Sequence, residues 1–152
     1  MAKAKVPASQ QVAKTNPNMM MVKTFVAMFV VNGVVLYVAN MLFPSSIVLG
    51  NMSLSPMWAI LLSMGALALV ETLVMPFAHE IEKMMGRVMK PYEWMIKYLI
   101  VNFLSLWVIT RFSGQFGLGV KSWLVVLVLA AVMDFVQGVV MMGMGKMMMD
   151  KS

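Results

Sequence analysis

Apolar and polar positions alternate along this chain in blocks rather than residue by residue. Four long runs, Met21 to Phe43, Met57 to Phe77, Trp94 to Phe112 and Val120 to Gly143, are almost free of charge. Each holds about 20 residues, the length an α-helix needs to cross roughly 30 Å of hydrocarbon. The pattern predicts an all-α polytopic membrane protein whose four transmembrane helices form two hairpins. Loop chemistry agrees with these boundaries: Pro44 and Pro56 bracket the first connection, and Gly114, Gly117 and Gly119 mark the third.

The second connection has a different texture. In AHEIEKMMGRVMKP, residues 78–91, the apolar side chains Ile81, Met84, Met85 and Val88 fall at the spacing of one helical face. Glu82, Lys83, Arg87 and Lys90 occupy the remainder, and Pro91 stops the run. This predicts a short amphipathic helix in the membrane interface, between the two hairpins. An ordinary helical loop with a solvated charged face is the plainer alternative.

Composition sharpens the class. The 152 residues are 61% hydrophobic and only 12% charged, outside the range of soluble domains. Four spans use nearly every residue after position 20, so a basic tail (1–20), a four-helix domain (21–145) and a short tail (146–152) complete the expected organisation. The opening segment has no short apolar core and no small-residue cleavage site, so it reads as a retained arm rather than a secretory signal. With no cysteine, thiolate metal sites and cysteine nucleophiles are excluded together.

Charge placement gives an orientation. Ten of the twelve basic residues lie in the N-terminal tail and first turn, around the second connection, or after the fourth run; Arg111 and Lys121 are the other two. By the positive-inside rule both termini and the 78–93 connection face the cytoplasm, in a multi-pass protein of the cell membrane. The net charge of +6 is thereby assigned to anionic lipid headgroups, with no nucleic acid as partner.

Polar groups inside hydrocarbon are expensive and need a reason. The candidates are Asn32 and Asn40 in the first span, Glu71 toward the cytoplasmic end of the second, Asn102 in the third, and Asp134 with Gln137 in the fourth. No Lys or Arg stands at a depth to pair with the two acids. A protonated acid there can donate to an Asn carbonyl on a neighbouring helix. The set is either interhelical glue, worth on the order of 1 kcal/mol per hydrogen bond, or a proton or cation relay through Glu71 and Asp134. Spans without internal proline favour glue, since ion transporters commonly use broken helices.

Two further features carry less. The 21 methionines culminate in MMGMGKMMMD at 141–150, and thioether sulfur suits Cu(I). Neither Cys nor a second His accompanies His79, however, and Met is also a flexible apolar contact residue. No metal or cofactor is expected, and no phosphate loop or nucleophile–base set can be assembled, so the chain reads as non-catalytic. A weak internal repeat aligns VNGVVLYVANMLF (31–43) with VNFLSLWVITRF (101–112), Asn32 over Asn102, each followed by a Gly-containing connection and then Trp58 or Trp123. Such a parallel duplication relates two hairpins by an axis along the membrane normal.

The order of these features resembles the small four-helix membrane proteins of the phage-holin-like superfamily. The matching positions are Asn32-Gly33, Leu42-Phe43-Pro44, Leu69-Val70-Glu71 through Met75-Pro76, Asn102, and Gly117 through Trp123, across roughly residues 25–140. Glu71 stands where that pattern has Asn, and Met75 where it has Arg. The resemblance implies a four-helix fold and, by the family's name, membrane permeabilisation. Three functions follow as expectations: a self-assembling holin-like protein, an accessory subunit of a larger membrane complex such as an oxidoreductase, or a small proton or cation conductor. The expected partners are the bilayer and either further copies or other membrane subunits.

Overall fold

A computed structural model describes residues 16–150, so most of the basic tail expected at 1–20 lies outside the described residues. The chain runs as α1 (Pro17–Leu42), β1 (Ile47–Leu49), α2 (Pro56–Met85), α3 (Pro91–Arg111), α4 (Ser113–Phe116), β2 (Leu118–Val120) and α5 (Trp123–Asp150). Four of these helices, α1, α2, α3 and α5, are long and apolar enough to cross a membrane. Proline opens α1, α2 and α3, where its fixed φ suits the first turn and its missing N–H is not needed.

Helix boundaries move from the sequence expectation in informative ways. Residues 78–85 form no separate amphipathic helix; they are the last two turns of α2, which Gly86 ends at φ +65°. The spacing of Ile81, Met84 and Met85 is helical as expected, but nothing breaks the helix before it. Pro76, assumed to lie at the end of a span, is inside α2. Proline within an apolar helix is tolerated where neighbouring helices and hydroxyl side chains re-satisfy the backbone. At 30 residues, α2 is about 45 Å long against about 30 Å of hydrocarbon. Its charged residues after Glu71, which are Glu80, Glu82 and Lys83, all fall in the part beyond that depth. At the other end of the chain, α5 continues to Asp150, through most of the expected short tail.

α1 packs chiefly on α2, and α3 chiefly on α5, with smaller α1–α5 and α2–α3 contacts. The core between them holds Leu36, Met64, Leu67, Leu106 and Met133, all fully buried. The outer faces are equally apolar, with Val26, Val30, Val34, Leu69, Leu104 and Val128 all exposed. A helix that is hydrophobic all round belongs in a large core or in lipid, and this bundle is too small to be the former.

The connections opposite Gly86 form a structure that the block pattern did not predict. β1 and β2 pair antiparallel, Ile47 with Val120 and Leu49 with Leu118. Ile47 and Leu118 are buried beneath the ribbon. Asn51 ties the two connections together: its amide donates to the Ser113 and Gly114 carbonyls at 3.2 and 2.9 Å. Its carbonyl oxygen accepts the N–H groups of Ser53 and Leu54. Gly117 must be glycine twice over, with φ +70° and a Cβ position only 2.7 Å from the Ala59 Cβ. The four long helices are thus bound into one frame at this end.

Candidate functional site

The frame brings one polar side chain from each long helix to a single level of the core. Asn32 on α1, Glu71 on α2, Asn102 on α3 and Gln137 on α5 are all buried, at 0, 1, 0 and 3% exposure. The Gln137 side-chain nitrogen donates to Glu71 Oε1 at 2.6 Å and to Asn32 Oδ1 at 2.5 Å. Asn32 Nδ2 donates to the other Glu71 oxygen at 2.9 Å, closing a three-residue ring. Asn102 Nδ2 donates to Gln137 Oε1 at 3.0 Å and adds the fourth helix.

Local sequence explains the placement. On α2 the buried positions are Ala59, Ser63, Met64, Leu67, Ala68, Glu71, Thr72 and Ala78, the recurrence of one helical face. Glu71 occupies an inward position of that stripe, and small neighbours such as Ala68 leave room for it. On α5 the inward stripe is Val126, Leu129, Ala130, Met133 and Gln137. Asn102 and Leu106 lie one turn apart on the inward face of α3, as Asn32 and Leu36 do on α1. α1 and α3 thus each deliver an Asn, and α2 and α5 each a longer polar side chain.

The ring places Glu71 level with Asn32, Asn102 and Gln137, with α2 running on to Met85 beyond it. One Glu71 oxygen accepts from the Asn32 amide. Both Glu71 oxygens act as acceptors for neutral amide donors, which suits a fixed cross-brace. The Asn102 carbonyl oxygen is buried with no partner among the described residues.

The remaining candidates separate. Asn40 caps the frame, donating to the Ile47 carbonyl at 2.7 Å. Asp134 stands three residues before Gln137 on α5, at the edge of the buried stripe and only partly covered. Among the described residues nothing hydrogen-bonds to Asp134, and no cation reaches it. His79 is exposed near the end of α2, 3.2 Å from Glu82. Among the described residues no three His, Cys, Asp or Glu side chains gather as a metal site requires.

A second polar cluster closes the turn between α2 and α3. Arg87 makes a two-pronged contact with Glu93, at 2.9 and 2.7 Å. The hydrogen bonds and charge of Glu93 hold the Arg87 guanidinium above its ordinary pKa. Glu93 also accepts the Lys90 N–H at 2.8 Å and Glu82 accepts the Met89 N–H, fastening the loop to both helices. Lys97 lies 3.8 Å over the Trp94 ring, and Trp94 stacks on Tyr98. Neither Asn51 in the first connection nor Ser63 on α2, whose hydroxyl donates to the Phe116 carbonyl, was singled out from sequence. Gly50-Asn51 was the available signal for the turn.

The arrangement is a sealed polar brace, a β1–β2 clasp at one end of the bundle and a partly covered acid on α5. Two concavities among the described residues, along Leu49–Pro56 and between His79 and Val88, are open troughs of about 420 and 430 Å³. Comparison with known proteins finds no matching family model, no matching curated protein and no matching solved structure.

Proposed function

We propose that this is a multi-pass protein of the cell membrane that works by association with further copies of itself, holin-like in organisation, and not by catalysis. In this reading α1–α2 and α3–α5 are two hairpins, both termini are cytoplasmic, and the β1–β2 clasp faces outward. Asp134 carries the proposal. An acid near the centre of a span costs several kcal/mol when left facing lipid, on scales that put Asp at roughly 2.5–3.5 kcal/mol. Glu71 meets that cost inside its own chain, whereas Asp134 finds no hydrogen-bond partner or cation among the described residues. A neighbouring chain is the natural source of one.

The polar brace supports the same reading from the other side. A conductor needs polar groups that exchange partners along a path, while this ring ties three side chains to one another in a closed set. Association through an outer face and rigidity within the bundle are complementary: a fixed bundle presents a defined surface.

Two affinity tags on separately encoded copies, co-expressed and extracted in mild detergent, test the proposal. Each tag should recover the other copy. Recovery of different membrane subunits in fixed ratio, without the second tagged copy, would replace it with the accessory-subunit reading. Reporter fusions at residue 152 and in the 44–56 connection should report opposite sides of the membrane; an external C-terminus would reverse the topology.

A further inference from the structure

The polar brace is one hydrogen bond short of a closed square. Among the described residues α1 packs on α2, α2 on α3, α3 on α5 and α5 on α1. At the level of the brace, side chains bridge three of these pairs: Asn32 to Glu71, Asn102 to Gln137, and Gln137 to Asn32. Gln137 to Glu71 runs along the diagonal. No such bond joins α2 to α3 there. At that gap stand Glu71 and Asn102, 1 and 0% exposed, and the Asn102 carbonyl oxygen is the acceptor of the set left without a partner. Charge is out of balance at the same place. Both Glu71 oxygens accept from neutral amides, no Lys, Arg or His among the described residues pairs with it, and the charged group nearby is a second acid, Asp134. A lone carboxylate in hydrocarbon is costly and takes up a counter-charge. The ring members touch at 2.5–3.0 Å, with no metal ion's width between them. A proton needs no such space.

We infer that the brace is a proton-binding site: Glu71 carries a proton, and its O–H donates across the brace to Asn102 Oδ1, joining α2 to α3. The step adds one proton to the carboxylate and removes it again on release. A carboxyl hydroxyl accepts one hydrogen bond while donating another, so the proton breaks none of the bonds already present. With it in place the unmet acceptor is satisfied and the brace is neutral. Without it, a negative charge stays in the core and α3 is held to the brace through Gln137 alone. The proton is thus a latch between α2 and α3. Tyr98, one turn from Asn102 on α3, and Asp134 on α5 are the other titratable groups whose charge acts on this one. α1 carries none between Met28 and Leu36. The latch lies within one chain and does not depend on self-association.

Infrared spectroscopy of the full-length protein in nanodiscs of native lipid tests this, because a carboxylic acid and a carboxylate absorb at different frequencies. Isotope labelling of the Glu carboxyl carbons alone keeps Asp134 out of the shifted bands. At neutral pH the labelled protein should show a Glu carboxylic-acid C=O band that Glu71→Gln abolishes. Asn102→Leu should move that band to higher frequency, as the O–H loses its acceptor. Asn102→Met, a more flexible replacement, should give the same shift and serves where Asn102→Leu does not fold. A carboxylate band lost in Glu71→Gln, with no acid band in the unmodified protein, overturns the proton site. An acid band that the Asn102 variants leave in place overturns the α2–α3 latch. The reading is taken per chain: a monomeric particle that shows the acid band and its shift leaves this inference standing while self-association fails.

Discussion

Gln137 on α5 donates to Glu71 on α2 at 2.6 Å, joining helices whose contributing residues are 66 positions apart in the chain. The same nitrogen also serves Asn32, so one amide group holds three of the four long helices in register. Few apolar contacts could fix that register, because outward and inward faces of these helices are both rich in Val, Leu and Met. Hydrogen bonds are directional where apolar packing is not, and a buried donor left unmet is costly.

Glu71 is therefore the position whose replacement should disturb the bundle most. Glu71→Leu leaves the Asn32 and Gln137 donors buried without their acceptor and should destabilise by about 2–4 kcal/mol, at 1–3 kcal/mol per unsatisfied group with partial relaxation. Glu71→Gln keeps one carbonyl acceptor and should lose less than half of that. Thermal unfolding followed by circular dichroism in mild detergent separates the two. Equal losses would mean that the carboxyl serves something other than the brace.

The β1–β2 clasp depends on a glycine. Gly117→Ala places a methyl 2.7 Å from the Ala59 Cβ at a φ of +70°, combining a clash with roughly 1 kcal/mol of backbone strain. Gly86→Ala meets the same kind of strain at φ +65° with nothing within 4 Å. The 117 variant should lower the unfolding midpoint clearly more than the 86 variant, and hydrogen exchange at Val48 and Leu49 should rise only in the former.

At the α2–α3 turn, Glu93 both pairs with Arg87 and accepts the Lys90 N–H. Arg87→Ala removes only a solvent-screened ion pair, so its effect on stability should be small. Glu93→Ala removes that pair and the helix-start bond together, and should therefore lower the unfolding midpoint more. A double-mutant cycle on unfolding midpoints checks the order; a larger loss for Arg87→Ala would give Arg87 a role outside the turn.

The four long helices and the composition of the brace were legible in the sequence, and for the same reason. Long uncharged runs announce helices by length, and a polar residue inside such a run stands out against its neighbours. Asn32, Glu71, Asn102 and Gln137 were all visible in this way. Their meeting was not, since Asn40 and Asp134 look the same by depth and type, and only the rotation of each helix tells an inward position from an edge. The β1–β2 ribbon was hidden because its strands are three residues each, too short for any alternation to register. The extension of α2 through 78–85 was hidden because charge after an apolar run marks an interfacial helix and a helix that projects past the hydrocarbon alike.

The central claim is that this chain functions as an assembly. Counting chains per particle by stepwise photobleaching, with one fluorophore per chain in nanodiscs of native lipid, measures it most directly. The account predicts two or more steps in most particles of the unmodified protein and a shift toward one step for Asp134→Leu. One step per particle in the unmodified protein, unchanged across increasing protein-to-lipid ratio, would contradict it.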